Sequence, residues 1–144
     1  MEDNEYYKIY IEINTDGRTE PVWAMKEGDY YEIWNVPFFA YGLACYDIIA
    51  TKQVGIQLFF DKKIKNSGHS TYRVFLQENG DFEFYWDILD RLKCTYERAT
   101  KSLYAIDVPP DADIHEVYRI LEMGEQRGAW EFEEGFCGHP EITN

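Results

Sequence analysis

Two different periodicities, one on each side of residue 66, predict an α+β protein. From Glu5 to Phe60 apolar residues alternate with polar ones at period two between turn signals, the pattern of an antiparallel β meander. From Thr71 onward strand-like runs alternate with stripes of helical period. The chain also carries 12 Tyr, 9 Phe and 4 Trp, enough large apolar side chain to offset the ordering entropy of its 144 residues and to argue against disorder. The expected architecture is a β-rich N-terminal lobe, residues 1–66, packed on a ferredoxin-like βαββαβ lobe with a short tail, residues 67–144, in one compact globule.

In the first strand Tyr7, Ile9, Ile11 and Ile13 alternate with Tyr6, Lys8, Tyr10 and Glu12, giving one buried face. Asn14-Thr15-Asp16-Gly17 is a turn, and a second strand follows around Val22 to Lys26. Glu27-Gly28-Asp29 leads to a third strand, Tyr30 to Trp34, which Pro37 ends because it has no N–H and holds Val36 extended. The stretch Phe38 to Leu43 is too apolar for an exposed loop and is expected to pack between the lobes. Strands at Asp47–Thr51 and Val54–Phe60 complete the first lobe.

Tyr72 to Gln77 opens the second lobe. Asn79-Gly80-Asp81 caps a helix to about Leu92, with Tyr85, Ile88, Leu89 and Leu92 on one stripe. Thr95–Ala99 and Leu103–Val108 form a hairpin through Thr100-Lys101-Ser102. Asp113 caps a second helix, whose stripe is Ile114, Val117, Tyr118 and Leu121, and Gly128 precedes a last strand, Ala129–Glu133. Leu103 to Ile106 is apolar on both faces, as an interior strand requires. Trp130 and Phe132 alternate with Glu131 and Glu133, as suits an edge.

Charge narrows the function. With 14 basic and 27 acidic residues the net charge is −13, which disfavours nucleic acid and anionic membrane surfaces as partners. Residues 34–106 are nearly neutral, so the excess lies at the two ends. Cys45, Cys94 and Cys137 are odd in number, form no C-x-x-C pair and have no His at ligand spacing, the signature of reduced thiols in a cytoplasmic protein. The polar, acidic N-terminus and the lack of a long apolar run point away from export. No Gly-rich phosphate loop occurs, and neither a metal site nor a cofactor is expected; His115 falls on the solvent edge of its helix, and Cys137-Gly138-His139 reads as a flexible end.

Two segments carry a resemblance. Tyr31-Glu32-Ile33-Trp34-Asn35-Val36-Pro37-Phe38-Phe39-Ala40-Tyr41-Gly42-Leu43 and Ser67-Gly68-His69-Ser70-Thr71-Tyr72-Arg73-Val74, with the stretch from Gly128, resemble a bacterial family described only as domain of unknown function 4265. The resemblance implies a bacterial source and a shared fold, and no activity. Where it implies a Gly-Asp pair, this chain has Tyr46-Asp47.

Two functional expectations follow. In the first the protein is an acidic, monomeric immunity-type binder that occludes a basic bacterial toxin, such as a nuclease of a contact-dependent system. Asp111 and the proposed contact residues Asp113, Glu116, Glu122, Glu125, Glu131, Glu133 and Glu134 would form one field interrupted by exposed aromatics, Trp130 or Tyr118. The second is a ligand-binding or enzymatic cleft between the lobes, at Asn35, Phe38, Tyr41, Ser67, His69, Ser70 and Thr71, with His69 as a base for Ser67 or Ser70. Its plainer alternative has the same hydroxyls and imidazole satisfying backbone groups at the junction.

Overall fold

The computed structural model describes residues 5–14 and 16–140. Strands β1 (Tyr6–Glu12), β2 (Thr19–Glu27), β3 (Tyr30–Ile33), β4 (Ile48–Val54) and β5 (Gln57–Lys65) follow one another around a closed barrel. Closure is a feature beyond the antiparallel meander expected from the sequence. Successive strands of a meander reverse direction, so with five of them the first and last run the same way. The seam is accordingly parallel, pairing Ile9 with Leu58 and Tyr10 with Phe59. Register shifts between Ile48 and Ile49 and between Ala50 and Thr51 supply the extra twist that bends β4 around the barrel. Ile9, Ile11, Val22, Ala24, Ile33 and Ile49 point inward and are buried, so the alternation read from the sequence is the inside–outside alternation of a barrel wall.

The second half comprises β6 (Ser70–Leu76), α1 (Phe82–Arg91), β7 (Thr95–Arg98), β8 (Leu103–Val108), α2 (Ile114–Gln126) and β9 (Trp130–Phe136). Its sheet is antiparallel in the order β7-β8-β6-β9, which places β6 and β8 inside and β9 at an edge. Asp81 caps α1 by accepting from the Phe84 N–H, and Asp113 caps α2 by accepting from those of His115 and Glu116. Both helices lie on one sheet face: Phe82, Tyr85 and Leu89 from α1 and Val117, Ile120 and Leu121 from α2 pack with Tyr72, Val74, Tyr104 and Ile106. Tyr118 is 41% exposed, and Ile120 takes the place in the stripe that the sequence reading gave to it.

The opposite sheet face carries Thr71 and Arg73 from β6, Ala105 and Asp107 from β8, Glu97 from β7 and Glu133 from β9. Against it lies the connection 34–47, with Val36, Ala40, Leu43 and Ala44 buried. The segment packs between the barrel and the sheet through Val36, Ala40, Leu43 and Ala44, but Phe39 and Tyr41, 51% and 66% exposed, face solvent, which corrects the expectation that the whole apolar stretch is buried. The described residues therefore form an α+β protein of two largely antiparallel sheets and two helices.

Candidate functional site

A buried connection must find partners for its peptide groups away from water. Here buried charged side chains from both sides supply them. Glu20, 4% exposed, reaches from β2 and accepts from the N–H groups of Phe38, Phe39 and Ala40. Glu97 accepts from the Val36 N–H. Arg73, 2% exposed, donates from Nη1 to the carbonyls of Pro37 at 3.2 Å and Ala40 at 2.8 Å, while its Nε donates to Glu133 at 2.9 Å. Asp47, wholly buried, accepts from the N–H groups of Ala44 and Ser67 and pairs with Lys63 at 2.8 Å. Thr71 Oγ1 donates to the Leu43 carbonyl.

Beside this framework His69 emerges where the chain passes from the barrel to the second sheet. Gly68 before it has φ +95°, a backbone state that L residues rarely adopt. His69 Nδ1 lies 3.0 Å from both carboxylate oxygens of Asp107 on β8. A carboxylate only accepts, so Nδ1 is assigned the proton, and in the neutral imidazole Nε2 is then the acceptor. Nε2 has no partner among the described residues, and no buried side-chain nitrogen or oxygen among them lacks one, which makes Nε2 accessible to solvent. Burial pushes the Asp107 carboxyl up from its ordinary value, against the lowering by the His69 imidazole and by His139.

The ring lines a cleft of about 530 Å³ together with Glu27, Glu32, Tyr46, Ile48, Lys65, Asn66 and Ser67. Tyr46 stands edge-on to it, ring centroids 4.9 Å apart, on a backbone with φ +68°. A bulky residue in the left-handed region is strained, and strain of this kind concentrates at binding sites. Tyr46 is also the residue standing where the family resemblance implies glycine.

The other residues of the expected cleft separate. Ser67 lines it, but its hydroxyl donates to the Cys45 carbonyl at 2.6 Å and accepts from the His69 N–H. Ser70 and Thr71 are wholly buried and lie outside it. Ser70 Oγ is paired with His139 Nδ1 at 2.6 Å, not with His69, and His139 Nε2 donates to the Pro109 carbonyl at 2.8 Å. That pairing corrects the flexible tail as well: Cys137-Gly138-His139 packs down, with the Gly138 N–H donating to Ser70 Oγ. Asn35 binds backbone, Phe38 joins a small cluster with Val36, Cys45 and Ala105, and Tyr41 is exposed with its hydroxyl donating to Glu133. Neither serine is therefore a nucleophile poised for His69. Burial pushes the Cys45 thiol up and that of Cys94 up to about 12, so both are protonated at neutral pH.

The acidic set is likewise divided. Trp130 is 1% exposed, beneath α2, with Nε1 donating to the Leu121 carbonyl, and cannot be an exposed anchor. Adjacent residues of a strand face opposite ways, so Glu133 is bonded to Arg73 on one side of the sheet and Glu134 to the Tyr72 hydroxyl on the other. Asp113 is spent on its cap, Glu116 pairs with Arg119, and Glu125 accepts from the Phe132 N–H. Glu122 and Glu131 are exposed. Asp107 escaped sequence reasoning, although an acid inside an otherwise apolar interior strand was the signal for it.

No curated protein matches this chain. Among solved structures it is similar to a hypothetical protein from Neisseria gonorrhoeae, with 19% identity and a TM-score of 0.84 over 97% of this chain and 100% of the other, which is a likeness of fold. Among the described residues no helix is long and apolar enough to cross a membrane. The profile of a domain of unknown function, DUF4265, matches residues 20–132, a span that takes in the connection 34–47 and His69, and the chain belongs to that family.

Proposed function

We propose that the protein binds a small ligand in the cleft at the junction of barrel and sheet, with His69 as its polar contact. One observation carries the reading: buried Asp107 orients the His69 imidazole and leaves Nε2 open in a cleft of about 530 Å³. The strained Tyr46 ring forms a wall, and the carboxylates of Glu27 and Glu32 line the same space, which favours a ligand bearing hydroxyl or ammonium donors. With no nucleophile beside the ring, binding fits better than covalent catalysis. The strand order β7-β8-β6-β9 with both helices on one face supports a ferredoxin-like unit over residues 67–144, with the barrel lobe 1–66 covering its other face. The test is an NMR titration of the full chain with a library of polyols and amines. Saturable shifts at the Tyr46, Ser67 and His69 amides are expected, lost in His69→Ala and weakened in Asp107→Asn. Affinity unchanged by His69→Ala overturns the reading.

The immunity-type reading stands second, on the exposure of Glu122, Glu125 and Glu131 on α2 and β9. It has a monomeric protein in the bacterial cytoplasm occluding a basic toxin domain. Co-expression with the product of the adjacent reading frame tests it: rescue of growth lost in Glu122→Lys with Glu131→Lys supports it, and a product neither toxic nor bound removes it.

A further inference from the structure

A second hollow, of about 390 Å³, lies on the outer wall of the barrel, lined by Tyr6, Trp23, Trp34 and Asn35. Barrel exteriors are ordinarily polar, yet Tyr6, Trp23 and Trp34 are 51%, 49% and 41% exposed. The Tyr6 and Trp34 rings meet at 72° with centroids 5.9 Å apart, a corner rather than a stack, and Trp23 adjoins Trp34 through the bond from the Trp34 N–H to the Trp23 carbonyl.

The hollow offers ring surface and little hydrogen bonding. Asn35 Oδ1 already accepts from the Trp23 N–H at 2.6 Å, and Asn35 Nδ2 donates to the Val36 carbonyl. A sugar, which needs directional polar contacts besides a stacking face, is poorly served. A cation is better served. The Trp34 indole N–H donates to Glu32 Oε1 at 2.7 Å, which puts a carboxylate beside the ring, and the Lys8 ammonium already sits 5.5 Å from the centroid of Trp23. Residues 1–33 carry nine acids against three bases, so the surrounding field has the matching sign.

We infer that the Tyr6, Trp23 and Trp34 hollow is a binding site for a methylated or quaternary ammonium group, held by ring faces and the Glu32 carboxylate. A quaternary ammonium is weakly hydrated and cannot hydrogen-bond, so it loses little in leaving water for ring faces, and the Glu32 carboxylate answers its charge without a hydrogen bond. Lys8 competes for one of the faces. The site shares Glu32 with the wall of the His69 cleft but is built on its own rings and does not use His69.

The full chain is titrated with choline and, at matched ionic strength, with 3,3-dimethyl-1-butanol, its neutral isostere. The indole N–H resonances of Trp23 and Trp34 report binding, and those of Trp86 and Trp130 serve as internal references. Choline is expected to shift the first pair saturably at about a tenth of the concentration the neutral alcohol needs, in line with an electrostatic preference for the cation. Lys8→Met tightens choline about threefold by removing the resident cation. Trp23→Leu abolishes binding, whereas Trp23→Phe retains a weakened form of it. His69→Ala leaves choline binding unchanged, which separates this site from the cleft. Equal response to choline and the alcohol reduces the hollow to an apolar surface and overturns the proposal. Loss of choline binding in His69→Ala, or no gain in Lys8→Met, does so as well.

Discussion

At the scale of single residues, Tyr46 gives the most direct test of strain. At ordinary φ an alanine is preferred to a glycine, but at φ +68° the order reverses. Tyr46→Gly should therefore be more stable than Tyr46→Ala by about 1 kcal/mol in urea denaturation. Neither variant keeps the ring against His69, so both should lose ligand in the cleft. A second comparison separates Glu131 from Glu133, neighbours in sequence with different duties. Glu131 is exposed on the edge strand, and Glu131→Lys should change stability by less than about 0.5 kcal/mol. Glu133 is the carboxylate partner of buried Arg73, and Glu133→Lys should cost about 2 kcal/mol, below the cost of breaking a fully buried pair because Glu133 is itself half-exposed. Equal urea midpoints for the two variants would remove the structural role given to the Arg73 pair. Sequence reading treated the two acids alike because composition reports charge and not which side of a strand it faces.

At the scale of elements, α2 and β9 are joined by a single fit. A Cβ on Gly124 would lie 2.6 Å from the Trp130 ring, so the glycine is the recess into which the indole settles. Gly→Ala inside a helix normally gains about 1 kcal/mol. Here Gly124→Ala should lower the melting temperature by several degrees, the overlap exceeding the propensity gain, since overpacking costs about 1–3 kcal/mol. A rise in melting temperature would show that α2 can shift off β9 without loss. The helices themselves were legible in the sequence, because Tyr85 and Leu89 or Val117 and Leu121 recur at helical spacing and aspartates mark both starts. The edge placement of β9 was legible from its alternation. Three features were not. Closure of the barrel depends on contact between strands nearly fifty residues apart. The burial of Trp130 depends on which sheet face the helices cover. The pairing of His69 with Asp107 rather than with Ser70 depends on the register of β6 on β8, which sets Thr71 opposite Asp107.

For the whole molecule, the half-buried Glu97 sets a pH dependence. Burial raises the Glu97 carboxyl above its ordinary 4.5, opposed by the bond from Val36 and assisted by Asp107. A group whose folded value is raised favours the fold while protonated, and that contribution is lost as pH rises through the folded value. Glu97→Gln, whose amide oxygen still accepts from Val36, should therefore match the wild type below pH 4.5 and become the more stable protein as pH rises toward neutrality. Paired denaturation curves across that range check the sign, and a difference that does not vary with pH contradicts it. The connection 34–47 has a wider consequence. Its peptide groups are held by Glu20 from the barrel and by Glu97 and Arg73 from the second sheet, while Asp47 of the connection accepts from the Ser67 N–H, so each half of the chain keeps a charge with a partner in the other. Prepared as separate polypeptides, 1–66 and 67–144 should each fail to fold and should regain structure when mixed, the severed halves recognising one another through the bonds that made them inseparable.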